Sequence, residues 1–241
     1  MDDGSNMDGR SSYLRFLPVE ARGALERIGR VRKFTSGEVL IEEGDERREM
    51  WLLVEGRAKV TRRLNGRTAS LVDLKVAGDV LGEIAAMDCG PRTATVTACC
   101  AGEARVVPRP DLQLFLREHP EALTALHQVL GERLRRSDRR RLEFGTYPVL
   151  VRLARVLVEL AASYGAPARN AIRIEVSLSQ SEFASLTGSR TNTVHKALAE
   201  LRRRELISTG ERQTHIHDLP GLRRAALLSM PPGPPRGHPS A

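Results

Sequence analysis

This chain is poor in cysteine, in lysine and in long apolar runs, and each shortage excludes something. Three cysteines stand in 241 residues: Cys89, Cys99 and Cys100. An odd set with two neighbours is no disulfide framework and fits a reducing compartment. Three thiols fall short of a four-Cys iron–sulfur site, and no CxxC pair offers a zinc knuckle. The expected role of Cys99 and Cys100 is packing in a strand. The most apolar helical stretch, 149–162, carries Arg152, Arg155 and Glu159, so no segment reads as membrane-spanning. The first twelve residues are polar and acidic and lack the basic and apolar regions of a signal peptide, so a cytoplasmic location is expected. There is no G-x-S-x-G, no H-E-x-x-H and no Walker A loop, and the chain is expected not to be an enzyme.

Hydrophobic residues make up 41% and charged residues 28%, which is globular composition. The length suits one large domain or two ordinary ones. Lysine occurs only at 33, 59, 75 and 196, so the net charge of +8 is carried by arginine. The guanidinium fork suits phosphate, although charge alone does not separate nucleic acid from an anionic membrane. The surplus is uneven. Residues 147–241 hold 13 Lys and Arg against 7 acids, whereas residues 1–146 hold 25 against 23.

The two parts also differ in pattern. Segments 31–34, 39–41, 50–54, 58–64 and 70–74 are β-prone and are separated by Gly-containing turns, which predicts a small β-roll. Asn65-Gly66 reads as a type I′ hairpin turn. Residues 18–28 look helical. Helical periodicity returns at 110–143, with Pro110 at the first turn and a restart at Pro120. Leu123, His127, Leu130, Leu134, Ser137, Arg141 and Phe144 then alternate by four and three, the spacing of a helix seam, and predict a homodimer through residues 111–144. Gly145-Thr146-Tyr147-Pro148 reads as a hinge, 149–164 as a second helix, and 207–217 as a hairpin around Thr209-Gly210. The Pro-rich end, 229–241, is expected to be disordered, as are residues 1–11.

Two motifs carry chemistry. In GDVLGEIAAMDCGPRTATVTA (78–98), a Gly turn leads into small residues whose backbone N–H groups can meet an anion. Arg92 can fork onto a phosphate, Thr93 can donate to it, and Glu83 can accept from a sugar hydroxyl. In LSQSEFASLTGSRTNTVHKALAELRRRELI (178–207), Ser179 and Glu182 form a capping box. Phe183, Ala184, Leu186 and Thr187 build a short helix that Gly188 ends. A second helix begins near Thr191, buries Val194, Leu198 and Leu201, and exposes Thr191, Asn192, His195, Lys196 and Arg203. This is a helix-turn-helix, whose second helix enters the major groove.

The first motif resembles the phosphate cassette of cyclic-nucleotide-binding domains, G-E-x-A-x-x-x-x-x-x-R-[ST]-A-x-V. The second resembles the winged DNA-binding domain of the CRP/FNR transcription regulators, and the resemblance spans about residues 12–217. It implies an α+β fold: a β-roll of the double-stranded β-helix (jelly-roll) type at 12–110, a dimerisation helix and hinge at 111–146, and a winged helix-turn-helix at 147–228. It implies a nucleotide site at Gly82, Glu83, Ile84, Ala85, Arg92 and Thr93, with Arg133 tying the long helix to Glu83. Ser137 and Asp138 fall where the family meets the base, and Asp138 departs from the usual hydroxyl residue there.

The resemblance places DNA contacts on Ser179, Gln180, Ser189, Arg190, Thr191, Asn192, Thr193, His195, Lys196 and Arg203. Thr191 and Asn192 stand where the family usually has Arg and Glu, so the half-site is expected to differ from the usual one. Haem sensing is disfavoured because no His lies in the β-roll. The expected partners are double-stranded DNA, a cyclic nucleotide, a second copy of the chain and RNA polymerase, with cAMP (or cGMP) as effector and no metal. A ligand-independent regulator with an empty cassette is the alternative.

Overall fold

The structure is a computed structural model, and it describes residues 12–64, 68–210 and 213–228. The expectations for 1–11, for the Asn65-Gly66 turn and for 229–241 lie outside the described residues. The described chain divides into two compact units, one ending at Arg139 and one starting at Arg140.

In the first unit, helices α1 (Tyr13–Phe16) and α2 (Val19–Leu25) precede eight strands. These are β1 (Arg30–Phe34), β2 (Val39–Ile41), β3 (Met50–Glu55), β4 (Arg57–Leu64), β5 (Thr68–Val76), β6 (Val80–Leu81), β7 (Thr95–Ala98) and β8 (Gly102–Val107). Helix α3 (Glu83–Asp88) follows β6, and α4 (Arg109–Glu118) and the part of α5 (Pro120–Thr146) up to Arg139 close the unit. The strands form two antiparallel four-stranded sheets, ordered β1-β8-β3-β6 and β2-β7-β4-β5. β4 and β5 pair from Arg57↔Val76 to Leu64↔Thr68, so the hairpin stands although its turn is not described.

β3 explains how the unit is layered. Its first four residues are all buried, and successive side chains point to opposite faces. Trp51 and Leu53 enter the core between the sheets with Phe34, Ile41, Leu81 and Val96. Met50 and Leu52 enter a second core with Tyr13, Leu25, Phe115, Leu126 and Val129 from the helices. A strand covered on both faces reads as an unbroken apolar run. The Tyr13 hydroxyl donates to the Ala122 carbonyl at 3.1 Å, which ties α1 to α5 inside this second core.

Helix α5 continues past Arg139 without a break and ends at Thr146. The break is therefore only Tyr147-Pro148, and Gly145 and Thr146 stay helical. Pro148 starts α6 (Val149–Tyr164), which is buried along most of its length. Strands β9 (Gly165–Ala168), β10 (Ala171–Ile174), β11 (Ile207–Gly210) and β12 (Gln213–Ile216) form a sheet ordered β11-β12-β10-β9. The expected hairpin is β11 and β12, paired from Ile207↔Ile216 to Gly210↔Gln213, so its connection falls beyond Gly210. Helices α7 (Gln180–Thr187), α8 (Thr191–Arg203) and α9 (Leu219–Ala225) pack on α6. Cys99 and Cys100 do not lie in a strand. They occupy the turn between β7 and β8, half-buried.

Candidate functional site

Around α3 the chain folds tightly because Gly82 is left-handed, with φ 69°. A Cβ at Gly82 would collide with the Arg92 guanidinium, so glycine is required by both backbone and space. Arg92 donates to the Gly82 carbonyl at 2.8 Å and to the Glu49 carbonyl at 2.7 Å. The Glu49 carboxylate stands 3.6 Å from the same guanidinium. Arg92 is only 4% exposed. Burial pushes its pKa below the usual arginine range, against the pull of Glu49 and Asp45. A backbone pair joins the Arg92 segment to the loop after β2: Arg92 N–H donates to Asp45 O at 2.8 Å, and Gly44 N–H donates to Arg92 O at 2.9 Å.

Glu83 starts α3 and is buried. Its carboxylate is gripped by Arg133 of α5. Arg133 also donates to the Val80 carbonyl at 3.2 Å. Burial works against the charge of Arg133, but Glu83, Asp73 and Asp79 outweigh it and hold its pKa above the usual range. One turn on, Arg136 lies 3.7 Å from Asp73, and Asp73 is paired with Lys75 at 2.7 Å. Gly82, Glu83, Arg92 and Arg133 therefore form one constellation: a buried cation, a buried acid and the first turn of a short helix, with α5 attached. Ala85 is buried beneath it, while Ile84 and Thr93 are exposed. Ser137 and Asp138 lie one turn beyond Arg133, exposed, with no hydrogen bond to the cassette among the described residues.

The two faces of α5 differ. Ala122, Ala125, Leu126 and Val129 are buried in the unit. Of the seam, His127, Leu134, Ser137 and Arg141 are exposed and Leu123 and Leu130 half-buried, with Leu134 63% exposed. The last seam position, Phe144, is also exposed, at 41%. The Phe144 ring sits against Gly188, which is left-handed at φ 56°, and Arg152 stacks over it at 5.3 Å. Arg155 stacks over Tyr147 at 4.5 Å and donates to Glu143 at 2.8 Å and to the Ala226 carbonyl at 2.9 Å. The arginines that break the apolar pattern of α6 thus fasten the end of α5.

In the helix-turn-helix, Glu182 N–H donates to the Ser179 hydroxyl at 3.2 Å and Ser179 N–H donates to Glu182 at 2.7 Å, completing the capping box. Phe183, Ala184, Leu186, Thr187, Val194, Leu198 and Leu201 are buried. Gln180, Arg190, Thr191, Asn192, Thr193, His195, Lys196 and Arg203 are exposed, and Ser189 is half-buried with its hydroxyl on Thr187 at 2.8 Å. The face carries Lys196 and Arg190 at its N-terminal end. At its other end, Arg203 is held by Glu200 through two hydrogen bonds of 2.8 and 2.7 Å.

Comparison with known proteins agrees with this division. The Cyclic nucleotide-binding domain family matches residues 31–119, and the Crp-like helix-turn-helix domain family matches residues 151–225. The chain is similar to the CRP-like cAMP-activated global transcriptional regulator of Mycobacterium tuberculosis, 30% identical over 80% of this chain and 86% of the relative. It is also similar to the transcriptional regulator LdrP of Thermus thermophilus, 32% identical over 81% of this chain and 96% of the relative. The chain belongs to the CRP/FNR family. A crystal structure of a CRP-family transcriptional regulator from Thermus thermophilus superposes with a TM-score of 0.68 at 28% identity, covering 81% of this chain and 96% of that one.

As a CRP/FNR protein the chain is a transcription regulator with a cyclic nucleotide-binding domain ahead of a DNA-binding helix-turn-helix. Among the described residues no helix is long and apolar enough to cross a membrane, and no cluster of three or more His, Cys, Asp or Glu could hold a metal ion. Sequence reasoning missed Glu49, Asp73, Lys75 and Arg136. Nothing in the run EEGDERRE (42–49) marks one glutamate as the neighbour of Arg92, because the contact spans 43 residues.

Proposed function

We propose that this regulator is switched by a cyclic nucleotide, cAMP before cGMP, held between the β-roll and α5. The observation that carries the reading is the Gly82–Glu83–Arg92–Arg133 constellation. In it, Arg92 and Thr93 take the phosphate with the N–H groups of Ile84 and Ala85, and Glu83 accepts from a ribose hydroxyl. Ser137 and Asp138 face the base. The cAMP-activated relative in Mycobacterium tuberculosis supports adenine. Two copies pair through the seam Leu123–Phe144, and each presents Arg190, Thr191, Asn192, His195 and Lys196 to one half of a palindromic site.

Arg133 is the coupling element. Because it grips Glu83 from α5, whatever occupies Glu83 biases the helix that joins the two copies. Linkage then requires DNA to tighten nucleotide as much as nucleotide tightens DNA. Calorimetry with cAMP and cGMP, with Arg92→Ala as control, tests the reading. Binding by the wild type that the control loses supports it. No binding by either leaves a ligand-independent regulator with an unfilled cassette.

A further inference from the structure

The phosphate end of the cassette contains a carboxylate that a phosphate site does not require. Glu49 serves Arg92 twice, through its carbonyl at 2.7 Å and through its carboxylate at 3.6 Å. The carbonyl alone would fix the guanidinium in place. The carboxylate adds negative charge beside the group expected to receive an anion. Its side chain is 20% exposed and that of Arg92 2%, so this charge lies at the edge of the buried site and is only partly screened by water. A second acid stands close behind. Asp45 accepts from its own neighbour Arg47 at 2.8 and 2.7 Å, and its field reaches Arg92. Asp45 is thus already paired with Arg47, whose own charge also bears on Arg92, and Glu49 is the loop carboxylate that stands beside the buried cation.

We propose that Glu49 is a charge filter: it makes the pocket accept a monoanionic cyclic phosphodiester and reject dianionic phosphomonoesters such as nucleoside 5′-monophosphates. The inference rests on the nucleotide reading above. The physical reason is the linearity of Coulomb's law. A fixed carboxylate repels a ligand in proportion to the ligand's charge, so whatever factor it removes from a singly charged ligand it removes twice over from a doubly charged one. A cyclic phosphodiester carries one negative charge at any pH above neutral. A phosphomonoester carries nearly two above pH 7, since its second proton leaves near pH 6. Without a nucleotide the same carboxylate compensates Arg92, whose burial would otherwise leave a charge unpaired.

The test uses the full-length protein at pH 8, with cAMP and 5′-AMP as probes and calorimetry, direct or by displacement, as the readout. Glu49→Gln keeps the shape and removes the charge. The expected result is that cAMP binds about threefold tighter and 5′-AMP about tenfold tighter, so that the preference for the cyclic ligand falls about threefold. Glu49→Asp, which keeps the charge, retains most of the preference. Glu49→Ala, which also removes the charge, should reproduce the shift seen with Glu49→Gln, and thermal melting shows which variants fold. The proposal is overturned if Glu49→Gln changes both ligands equally, changes neither, or weakens both. In the last case Glu49 only orients Arg92. If the wild type binds neither ligand, the nucleotide reading itself has failed, and the filter with it. That outcome is distinct from a wild type that binds cAMP and a variant with unaltered preference.

Discussion

Arginines do opposite work in the two halves of this chain. In the N-terminal unit, Arg92 of the β-roll and Arg133 of α5 are set among carbonyls and carboxylates and fixed by hydrogen bonds. On α8, Arg190 and Lys196 stand in solvent with no ion pair among the described residues. A buried, pre-paired cation suits one small ligand of fixed shape, because everything around it is already oriented. An exposed, mobile cation suits a polyanion, where binding draws on the release of counterions and tolerates sliding. The same residue type is therefore a lock in one unit and an electrostatic brush in the other.

The sharpest way to break that comparison is Arg92→Ala. Removing one partner of a buried charged network costs about 3–5 kcal/mol. Cyclic-nucleotide affinity should fall at least a hundredfold by calorimetry, while DNA affinity without nucleotide stays within a factor of about two. Equal losses in both would mean that Arg92 supports the fold rather than the ligand. On α8 the expected effects are smaller and differ in kind. Lys196→Ala and Arg190→Ala should each weaken DNA binding by about 1–3 kcal/mol. If a side chain meets phosphate, its loss lowers the slope of log affinity against log salt by about one for every sequence. If it meets a base edge, the loss relaxes preference at one position of the site. Titrations at several salt concentrations over a small panel of operators separate the two.

The two faces of α5 pose the same question for apolar side chains. Val129→Ala and Leu126→Ala empty space in the helix-facing core and should destabilise the N-terminal unit by about 1–4 kcal/mol in denaturant melts. Leu134→Glu alters a side chain that is 63% exposed in the single chain. It should leave the melting of that unit unchanged and split the dimer in sedimentation experiments. A variant that still sediments as a dimer would move the interface off the seam.

How much of this is legible in the sequence depends on the range of each contact. The helix-turn-helix is legible almost residue by residue. The Ser179–Glu182 cap, the Gly188 turn and the buried Val194, Leu198 and Leu201 are all local, set by neighbours three or four positions away. The cassette residues are legible because the motif is contiguous from Gly82 to Val96. What reaches Arg92 and Arg133 from elsewhere is not. Glu49 arrives from the end of a loop, and Asp73, Lys75 and Arg136 assemble from β5 and α5. No periodicity encodes such pairs. Strands β6 to β10 leave little trace in the sequence because they are short, from two to six residues, and two of them belong to a sheet with β11 and β12 whose partners lie some 40 residues apart. The seam stays exposed from Leu134 to Phe144, and the last ring also meets Gly188, a distant contact that spacing does not encode. Periodicity says which residues share a face, not what covers that face.

The smallest effect concerns Glu200, which sits where the brush ends. Hydrogen bonds from Arg203 and then Arg204 push its pKa down to about 2 from an ordinary 4.5. A depressed carboxylate stabilises the fold above its unfolded value, and that contribution is lost as pH falls through the folded one. The window is thus pH 4.5 down to about 2, and Glu200→Gln should flatten acid unfolding only there. The carboxylate lies at the surface, so salt and water hold the effect on stability near neutral pH to little. DNA binding gives the clearer signal. While Glu200 holds Arg203 at 2.7 and 2.8 Å, that guanidinium is partly neutralised at the far end of α8. If Arg203 reaches phosphate, Glu200→Gln releases it, and affinity should rise about two- to fivefold with a steeper salt slope. If affinity and slope stay put, Arg203 and Glu200 only finish the helix, and DNA contact is confined to the N-terminal turns of α8, where Arg190 and Lys196 have no ion pair among the described residues.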